Sequence, residues 1–363
     1  MTISKFSINI NSDNFYEDVK PLIKEIRPFW NTNNLKIKKF DMGISNLLFG
    51  VYYDDNFTEK TDLILVRIYG RTLLNRDIEI EHMGMLSNLD LAPKIWGKFE
   101  NGCAYQYIHG TMLTVDELRE GSYNKYFLPL VHSFPIIPFR LVIEVFVKFH
   151  TAKLNFKRPR QPFLFIKMKE LAEGIPDQFE NVEKNEKYLL KFPRKSTLIQ
   201  EISCLEEHLS RSDYPIAFCH NDLLVHNIII NFSRDRVHFI DFEYSDYNYI
   251  GFDIGNHFNE FAGLDNVDYS KYPDDKFQKK WLRDYLEIFY LSNTQNGDVK
   301  KILDNEIEHW YKMVNKFSLA SHLIWCMWSI WQDVNSNIDF DYLDYAIIRW
   351  NQYQKKKDEF LSL

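Results

Sequence analysis

Residues 218–231, FCHNDLLVHNIIIN, constrain the fold more than any other stretch of the chain. A cluster of polar residues precedes a run of isoleucines that has the composition of a buried strand. A second strand-like segment, VHFID, follows the turn-like FSRDR, so the polar cluster stands immediately before a tight hairpin. A metal site, a nucleic-acid contact, a structural turn and a catalytic loop are all compatible with this arrangement. The cluster consists of His220, Asn221, Asp222, His226 and Asn227.

Length and composition narrow these alternatives. A chain of 363 residues is long enough for two domains or lobes, at roughly 100–200 residues per domain. With 45% hydrophobic and 26% charged residues it has the composition of a globular protein. Its net charge of -7 argues against a nucleic-acid partner, which requires a basic face.

The cysteines and the apolar stretches indicate the compartment. The four cysteines are widely spaced without a C-x-x-C pair, so we expect neither a zinc ribbon nor a disulfide framework, and a reducing cytoplasm is the expected location. The polar N-terminal residues predict no secretory signal. RLVIEVFVKFH and LASHLIWCMWSIW are shorter than the roughly 18 apolar residues of a membrane span and predict buried helices.

The periodicity of the chain predicts an α+β fold with two lobes. Residues 35–107 contain several strand-like segments around one helix, which predicts a small antiparallel sheet. Beyond residue 111 the apolar spacing becomes helical, except at the hairpin. We therefore expect an N-terminal lobe at 1–107 and a larger, mainly helical C-terminal lobe at 108–363.

Two carboxylates flank the hairpin, Asp222 before it and Asp241 after it, and Asn227 follows Asp222 by five residues. The hairpin should bring all three side chains to one edge. Phosphoryl transfer requires such a set, because one carboxylate and one amide can hold Mg²⁺ while the second carboxylate accepts the proton of the attacking hydroxyl.

The order H-x-D-x4-N, strand pair, D-F-x is similar to the arrangement in protein kinases. That arrangement requires a cation on the third strand and a helix glutamate to brace it, and Arg67 and Glu79 stand at those places. The turn MGISNLLFG precedes them, although it lacks G-x-G-x-x-G, and the strand YQYIHG follows. The predicted fold is therefore bilobal and protein-kinase-like.

Longer blocks resemble the choline/ethanolamine kinases from about residue 38 to 350. They are GISNLLFGV, LVRIYG, LAPKIWGKFENGCAYQYIHG, HNDLLVHNIII, VHFIDFEYSDYNYIGFDIGNHFNEF and SHLIWCMWSIWQ, and the likeness is weakest over 111–215. The resemblance implies ATP-dependent, magnesium-assisted phosphorylation of a small amino alcohol, the first step of the CDP-linked route to phospholipids. Relatives of this kind are often homodimers.

The resemblance also implies roles for individual residues. Asp222 would be the catalytic base, and Asn227 and Asp241 would be the magnesium ligands. Binding of the nucleotide would fall to Ser45, Asn46, Arg67, Glu79, Gln106 and Ile108. The amino-alcohol pocket would contain Glu243, Tyr244, Glu260, Trp325, Trp328, Tyr342 and Tyr345.

The identity of the amino alcohol depends on smaller differences. Trp325 and Trp328 share a predicted helix face and could form an aromatic cage, with Glu260 as counter-charge, for either ethanolamine or choline. Choline kinases usually carry glutamine at the position of Leu224, whereas HNDLL and NHFNEFAG resemble ethanolamine kinases. We therefore expect ethanolamine, with choline or dual specificity as the alternative.

Other interpretations of the same residues remain to be separated. His220 is expected to hold the turn, and Asp253 to accept backbone N–H bonds from the catalytic loop rather than to bind metal. Zinc is disfavoured because the histidines lack ligand spacing. An aminoglycoside-type phosphotransferase and a nucleotide-binding scaffold without catalysis are the competing functions.

Overall fold

The structure is a computed structural model, and it describes residues 3–40, 46–53, 58, 60–70, 75–120, 138–156, 159–264, 266–293, 301–336 and 338–363. The chain forms two compact units. Unit 1 comprises Met1–Met112 and Ile229–Glu243, and unit 2 comprises Leu113–Ile228 and Tyr244–Leu363. The division at 107–108 stays a prediction, since compactness does not fix where an independently folding domain ends.

Unit 1 is built on a six-stranded sheet in the order β1-β5-β6-β4-β3-β2. The sheet is antiparallel except for the parallel pairing of its short edge strand β1 with β5. The elements are β1 (Lys5–Phe6), α1 (Phe15–Ile26), β2 (Lys36–Phe40), β3 (Asn46–Tyr52), β4 (Leu63–Tyr69), α2 (Arg76–Ser87), β5 (Ile95–Phe99) and β6 (Gly102–Gln106).

The core of unit 1 forms where helix α1 covers the sheet. The helix turns Val19, Leu22 and Ile23 inward at helical spacing, and the alternate residues of β3 and β4 complete a buried cluster. The central strand β4 is apolar and buried along almost its whole length, and Arg67 is its one charged residue. Opposite it, a Cβ on Gly102 would lie 2.2 Å from the Arg67 carbonyl oxygen, so only glycine fits there.

A small second sheet carries the hairpin identified in the sequence. Strand β7 (Thr111–Met112) pairs with β9 (Ile228–Ile230), and β9 lies beside β10 (Val237–Phe239). The segment after β10 belongs to unit 1 as far as Glu243, where the second stretch of that unit ends. The residues that follow the hairpin therefore belong to the same compact unit as Arg67.

Unit 2 is mainly helical. Its elements are α3 (Val115–Glu120), α4 (Pro138–His150), α5 (Leu164–Gly174), α6 (Val182–Lys191), α7 (Lys195–Leu209), β8 (Ile216–Cys219), β11 (Asp246–Tyr249), α8 (Ile250–Asn259), α9 (Asp275–Asn293), α10 (Asp304–Asn335) and α11 (Tyr342–Leu361). Strands β8 and β11 form an antiparallel pair. The predicted α+β class, with a small sheet-rich part and a larger helical part, is confirmed.

The long helix α10 is the centre of unit 2 and packs against α8 and α11. A Cβ on Gly255 would lie 2.7 Å from the Val314 carbonyl oxygen, so glycine allows α8 and α10 to approach closely. Most residues of α10 from Ile307 to Gln332 are buried, although serines, an asparagine and a histidine interrupt the apolar pattern. None of the helices in the described ranges is long and apolar enough to cross a membrane.

Candidate active site

The loop that follows β8 carries Asp222, and Asp253 of helix α8 fixes that loop. The two carboxylate oxygens of Asp253 accept hydrogen bonds from the backbone N–H of His220 at 2.9 Å and of Asn221 at 2.7 Å. Nε2 of His150 lies 3.0 Å from the same carboxylate. Burial alone would raise the pKa of Asp253, but the hydrogen bond with His150 and the neighbouring donors lower it below its usual value. The predicted structural role of Asp253 is therefore confirmed.

Asn221 holds the backbone in an unusual conformation directly before Asp222. Its φ is 67°, in the left-handed region that few residues other than glycine, asparagine and aspartate adopt. Its side-chain amide donates to the carbonyl oxygens of Tyr244 at 3.0 Å and Asp246 at 3.2 Å, and its Oδ1 accepts from Asn248 at 2.9 Å. These bonds offset the backbone strain and fix the direction in which the chain enters Asp222.

Asn227 is oriented by the same loop. Its Nδ2 donates to the backbone carbonyl of Asp222 at 2.9 Å, and the side chain is buried. That bond leaves the amide oxygen as the atom that could ligate a cation, and magnesium prefers such oxygens. The loop thus ties a predicted magnesium ligand to the residue predicted to be the base.

Within unit 2 the aromatic residues predicted for the amino-alcohol pocket form a continuous cluster. The Trp325 and Trp328 rings have centroids 5.4 Å apart in an edge-to-face arrangement, as their spacing on one helix face predicted. Tyr244 packs against Trp325 at 5.1 Å, and Tyr342 against Trp328 at 6.1 Å. The structure therefore brings these four aromatic side chains together.

Tyr345 reaches the aromatic residues of unit 2 through Phe340, a residue that the sequence analysis did not identify. The Phe340 ring lies 5.8 Å from Tyr345 and 4.9 Å from Tyr342, centroid to centroid. Its aromatic character was a signal, but Phe340 precedes helix α11 and shares no helical spacing with the two tyrosines.

Glu260 does not stand alone as a counter-charge. Its Oε1 accepts from Nη1 of Arg349 at 2.8 Å, and both side chains are almost fully buried. Nη2 of Arg349 donates to Ser321 Oγ at 2.9 Å, and Ser321 donates to Asn256 Oδ1 at 2.8 Å. Asn256 Oδ1 also accepts from the Trp325 indole at 2.7 Å. A hydrogen-bonded chain therefore connects the carboxylate to the aromatic cluster.

The sequence analysis missed Arg349, Ser321 and Asn256. Arg349 lies four residues after Tyr345, on the same face of α11, and this spacing was the only local signal of its position. Its partner Glu260 is 89 residues away in the chain. Within the described residues Oε2 of Glu260 accepts no hydrogen bond, so this oxygen remains for a donor from outside the chain.

A pocket of about 230 Å³ lies beside Glu260 in unit 2. Leu224, Val225 and Gly263 contribute apolar walls, Glu260 and Asp116 contribute negative charge, and Lys271 contributes positive charge. A primary ammonium has the size and donors to use such a place, since it carries three N–H groups and requires oxygen acceptors.

Unit 1 contains the arginine and aspartate predicted to handle phosphate and metal. Arg67 of β4 forms an ion pair with Glu79 of α2, and both are buried, so the predicted pairing is confirmed. Burial alone would raise the pKa of Glu79, but Arg67 and Arg76 lower it below its usual value. The carboxylate is therefore ionised at neutral pH and braces the arginine.

Asp241 follows strand β10 with φ 65°, again in the left-handed region. Its Oδ1 lies 3.7 Å from Nη1 of Arg67, is buried, and accepts no hydrogen bond from the part of the chain that the structure describes. Burial and the neighbouring Glu243 raise the pKa of Asp241. This oxygen lies near the carboxylates of Glu79 and Glu243 as well as the two arginines. Because magnesium prefers carboxylate oxygens as ligands, Asp241 suits the predicted magnesium role.

Arg76, at the start of α2, is a second cation that the sequence analysis missed, and its side chain is 12% exposed. Its Nη1 donates to Glu79 Oε2 at 2.9 Å and to Glu243 Oε2 at 2.7 Å. Its Nη2 donates to Asn46 Oδ1 at 2.8 Å. Glu243 is thus held within unit 1, and its predicted place in the amino-alcohol pocket stays a prediction.

The remaining predicted nucleotide residues are in unit 1 or outside the described residues. Gln106 ends β6, where its N–H donates to the Lys94 carbonyl at 2.8 Å. Ile108 follows that strand, and within the described chain its backbone N–H and carbonyl make no backbone hydrogen bond. Asn46 begins β3. Ser45 lies outside the described residues.

Comparisons with known proteins agree with this geometry. The family model described as Choline/ethanolamine kinase matches residues 37–354. Ethanolamine kinase 2 of Mus musculus is 39% identical over 361 residues, which cover 99% of this chain and 86% of the relative. Among solved structures, a Plasmodium vivax ethanolamine kinase aligns with a TM-score of 0.75 at 25% identity, covering 94% of this chain and 89% of its own.

A second solved structure, the choline kinase of Cryptosporidium parvum, aligns with a TM-score of 0.73 at 22% identity over 95% of this chain and 96% of its own. At that identity the likeness concerns the fold alone. The kinase-like fold expected from the sequence is confirmed by these two structures.

Proposed function

Because the chain belongs to the choline/ethanolamine kinase family, we propose that it transfers the γ-phosphoryl group of ATP to the hydroxyl of ethanolamine and forms phosphoethanolamine. The observation that carries the proposal is the loop of Asp222 and Asn227, which Asp253 holds through two backbone N–H groups. In phosphoryl transfer the protein contributes mainly by positioning the reacting groups, and this loop holds Asp222 and Asn227 in fixed positions.

Each predicted residue has a role in the proposed reaction. Asp222 accepts the proton of the ethanolamine hydroxyl while the hydroxyl oxygen attacks the γ-phosphorus, the bond from that phosphorus to the β–γ bridging oxygen breaks, and ADP leaves. Asn227 and Asp241 would hold magnesium, which neutralises charge on the phosphates when bound. Arg67, braced by Glu79, binds phosphate oxygens.

The ends of the nucleotide would be held by backbone groups. Ile108 and Gln106 would contact the adenine. Among the described residues the N–H and carbonyl of Ile108 make no backbone hydrogen bond, which supports that assignment. Ser45 and Asn46 belong to the turn proposed to cover the phosphates.

Ethanolamine is proposed over choline on two grounds. Glu260 keeps one carboxylate oxygen for a donor, and a primary ammonium can donate to it whereas a quaternary ammonium cannot. Leu224, which stands where choline kinases usually carry glutamine, lines the same pocket as Glu260. Choline is the second candidate, because the cluster of Tyr244, Trp325, Trp328 and Tyr342 presents the rings that a quaternary ammonium prefers.

The cellular setting is part of the proposal. Phosphoethanolamine would enter the CDP-ethanolamine route to phosphatidylethanolamine. A reducing cytoplasm suits four cysteines that are all free. A homodimer is proposed from the resemblance.

The function can be tested by coupling ADP release to an optical readout with ethanolamine, choline, an aminoglycoside or no acceptor. We expect rapid ADP release with ethanolamine and only a slow background without acceptor. Rapid release with the aminoglycoside alone would contradict the proposal, and release independent of any acceptor would show an ATPase instead.

A further inference from the structure

We propose that Arg76 is a positioning residue for nucleotide binding, acting through a cluster that we call the Arg76 clamp and define as Asn46, Arg76 and Glu243. The inference rests on the proposed function, since it concerns how unit 1 holds the nucleotide and its metal ion. It assigns Glu243 to the nucleotide side of the chemistry rather than to the amino-alcohol pocket.

The geometry of the clamp places Arg76 between two acceptors. One guanidinium connects three separate segments, because Arg76 starts helix α2, Asn46 starts strand β3, and Glu243 follows strand β10. The distances from Arg76 are 2.8 Å to Asn46 and 2.7 Å to Glu243. A planar guanidinium with several fixed N–H groups can serve all these acceptors at once, whereas a lysine ammonium cannot hold the same geometry.

The amide of Asn46 makes its contacts within unit 1. Its Oδ1 accepts from Arg76 and from the backbone N–H of Gly70 at 3.2 Å, and its Nδ2 lies 3.4 Å from Glu243 Oε2. Both ends of the amide are thus occupied by protein groups. The side chain of Asn46 therefore fixes the start of β3, and a phosphate contact in this segment would have to come from the backbone.

Asp241 lies in a cluster of charged side chains. Among the described residues, Arg67 and Arg76 face three carboxylates, those of Glu79, Asp241 and Glu243. The side chain of Glu243 is only 3% exposed, so removal of Arg76 would leave a buried carboxylate without a cation. Because Glu243 is two residues after Asp241, a displaced Glu243 would move the strand end that carries the proposed magnesium ligand.

The test is the affinity for MgADP, measured by isothermal titration calorimetry for the intact wild-type chain and for Arg76→Met. We expect the dissociation constant to rise about tenfold in the variant, because the metal-bearing segment loses its tether. In steady state the KM for MgATP should rise similarly while the KM for ethanolamine changes less than about twofold. Arg76→Lys should recover only part of the loss.

Arg27→Met is the matched control. Arg27 also belongs to unit 1 and forms a two-pronged ion pair with Asp62, at 2.7 and 2.9 Å, but contacts neither Asn46 nor Glu243. We expect its MgADP affinity to equal that of the wild type. A loss of affinity as large as that of Arg76→Met would show a general effect of removing an arginine and would overturn the clamp.

Glu243→Gln separates the two assignments of Glu243 and does not depend on the folding of Arg76→Met. The clamp predicts a higher KM for MgATP with an unchanged KM for ethanolamine. The reverse pattern would place Glu243 in the amino-alcohol pocket and overturn the proposal. If the wild type itself bound no MgADP, the proposed function would fail, whereas equal binding by wild type and Arg76→Met would overturn only the clamp.

Discussion

The two units hold their functional residues by different kinds of interaction. In unit 1, Arg67 and Arg76 are paired with carboxylates, and one buried oxygen of Asp241 has no hydrogen bond from the residues that the structure describes. In unit 2, the loop of Asp222 is fixed mainly by backbone N–H groups, amides and the buried Asp253. Charged clusters suit a polyanionic nucleotide and its metal ion, whereas hydrogen bonds to the backbone fix the direction in which a loop presents its side chains.

Glu260 and Arg349 depart from this pattern in unit 2, because they form a buried ion pair. The pair is joined to neutral donors and acceptors rather than to further charges. The Glu260 carboxylate is thus already compensated before any substrate binds. An ammonium that binds there shares the carboxylate with Arg349, which favours a small cation able to donate a hydrogen bond.

The largest effects are expected from removing the charge of Asp222 or of Asp241, and the two variants should differ in which step they impair. Asp222→Asn should lower kcat by about 10³-fold while the affinity for MgADP stays within about twofold, because only the proton acceptor is lost. Asp241→Asn should instead weaken MgADP binding strongly, with ADP binding in the absence of Mg²⁺ much less affected. Steady-state turnover assays measure kcat, and calorimetry with and without Mg²⁺ measures the affinity for ADP. If the two variants gave the same pattern, the functional contrast between the units would be wrong.

An intermediate effect is expected from acid, through His257 of unit 2. The imidazole is buried, its Nδ1 lies 3.1 Å from the Leu223 carbonyl beside Asp222, and burial lowers its pKa to about 4. The unfolded chain takes up this proton near pH 6.5, so between about pH 6.5 and 4 unfolding binds a proton and stability falls as pH falls. The loss amounts to at most about 3 kcal/mol by pH 4.

Urea unfolding of His257→Gln, followed from pH 7 to pH 4, tests this linkage. The amide can still donate to Leu223 but cannot be protonated, so the free energy of unfolding should decline less steeply with acid than in the wild type. His226→Gln, a change at an exposed histidine of the loop that contains Leu223, is the control for the substitution itself. Parallel slopes for wild type and His257→Gln would contradict the role of this group.

Much of the site could be predicted from the sequence because the relevant residues lie close together in the chain. Asp222 and Asn227 share one loop, and Asp241 follows one hairpin later, so local spacing identified them. Glu79 follows Arg67 by twelve residues on the next element, and the need of a buried arginine for a partner sufficed to pair them.

The parts that could not be predicted depend on packing between distant segments. Arg76 stands in the polar stretch NRDIE, which is typical of an exposed helix start, and only Glu243, 167 residues later in the chain, gives it a buried carboxylate partner. Arg349 is identified as the partner of Glu260 only by the packing of both α8, which Glu260 follows, and α11 against α10. Local sequence carries no signal for such pairings.

Competition between the two amino alcohols is the most direct test of the central claim, that the chain phosphorylates ethanolamine in preference to choline. Equal concentrations of ethanolamine and choline are supplied with MgATP, and the two phosphorylated products are separated and counted. Their ratio equals the ratio of kcat/KM values. We expect phosphoethanolamine to exceed phosphocholine by at least about tenfold, the equivalent of one well-made hydrogen bond to a charged group. A ratio of one or below would contradict the account.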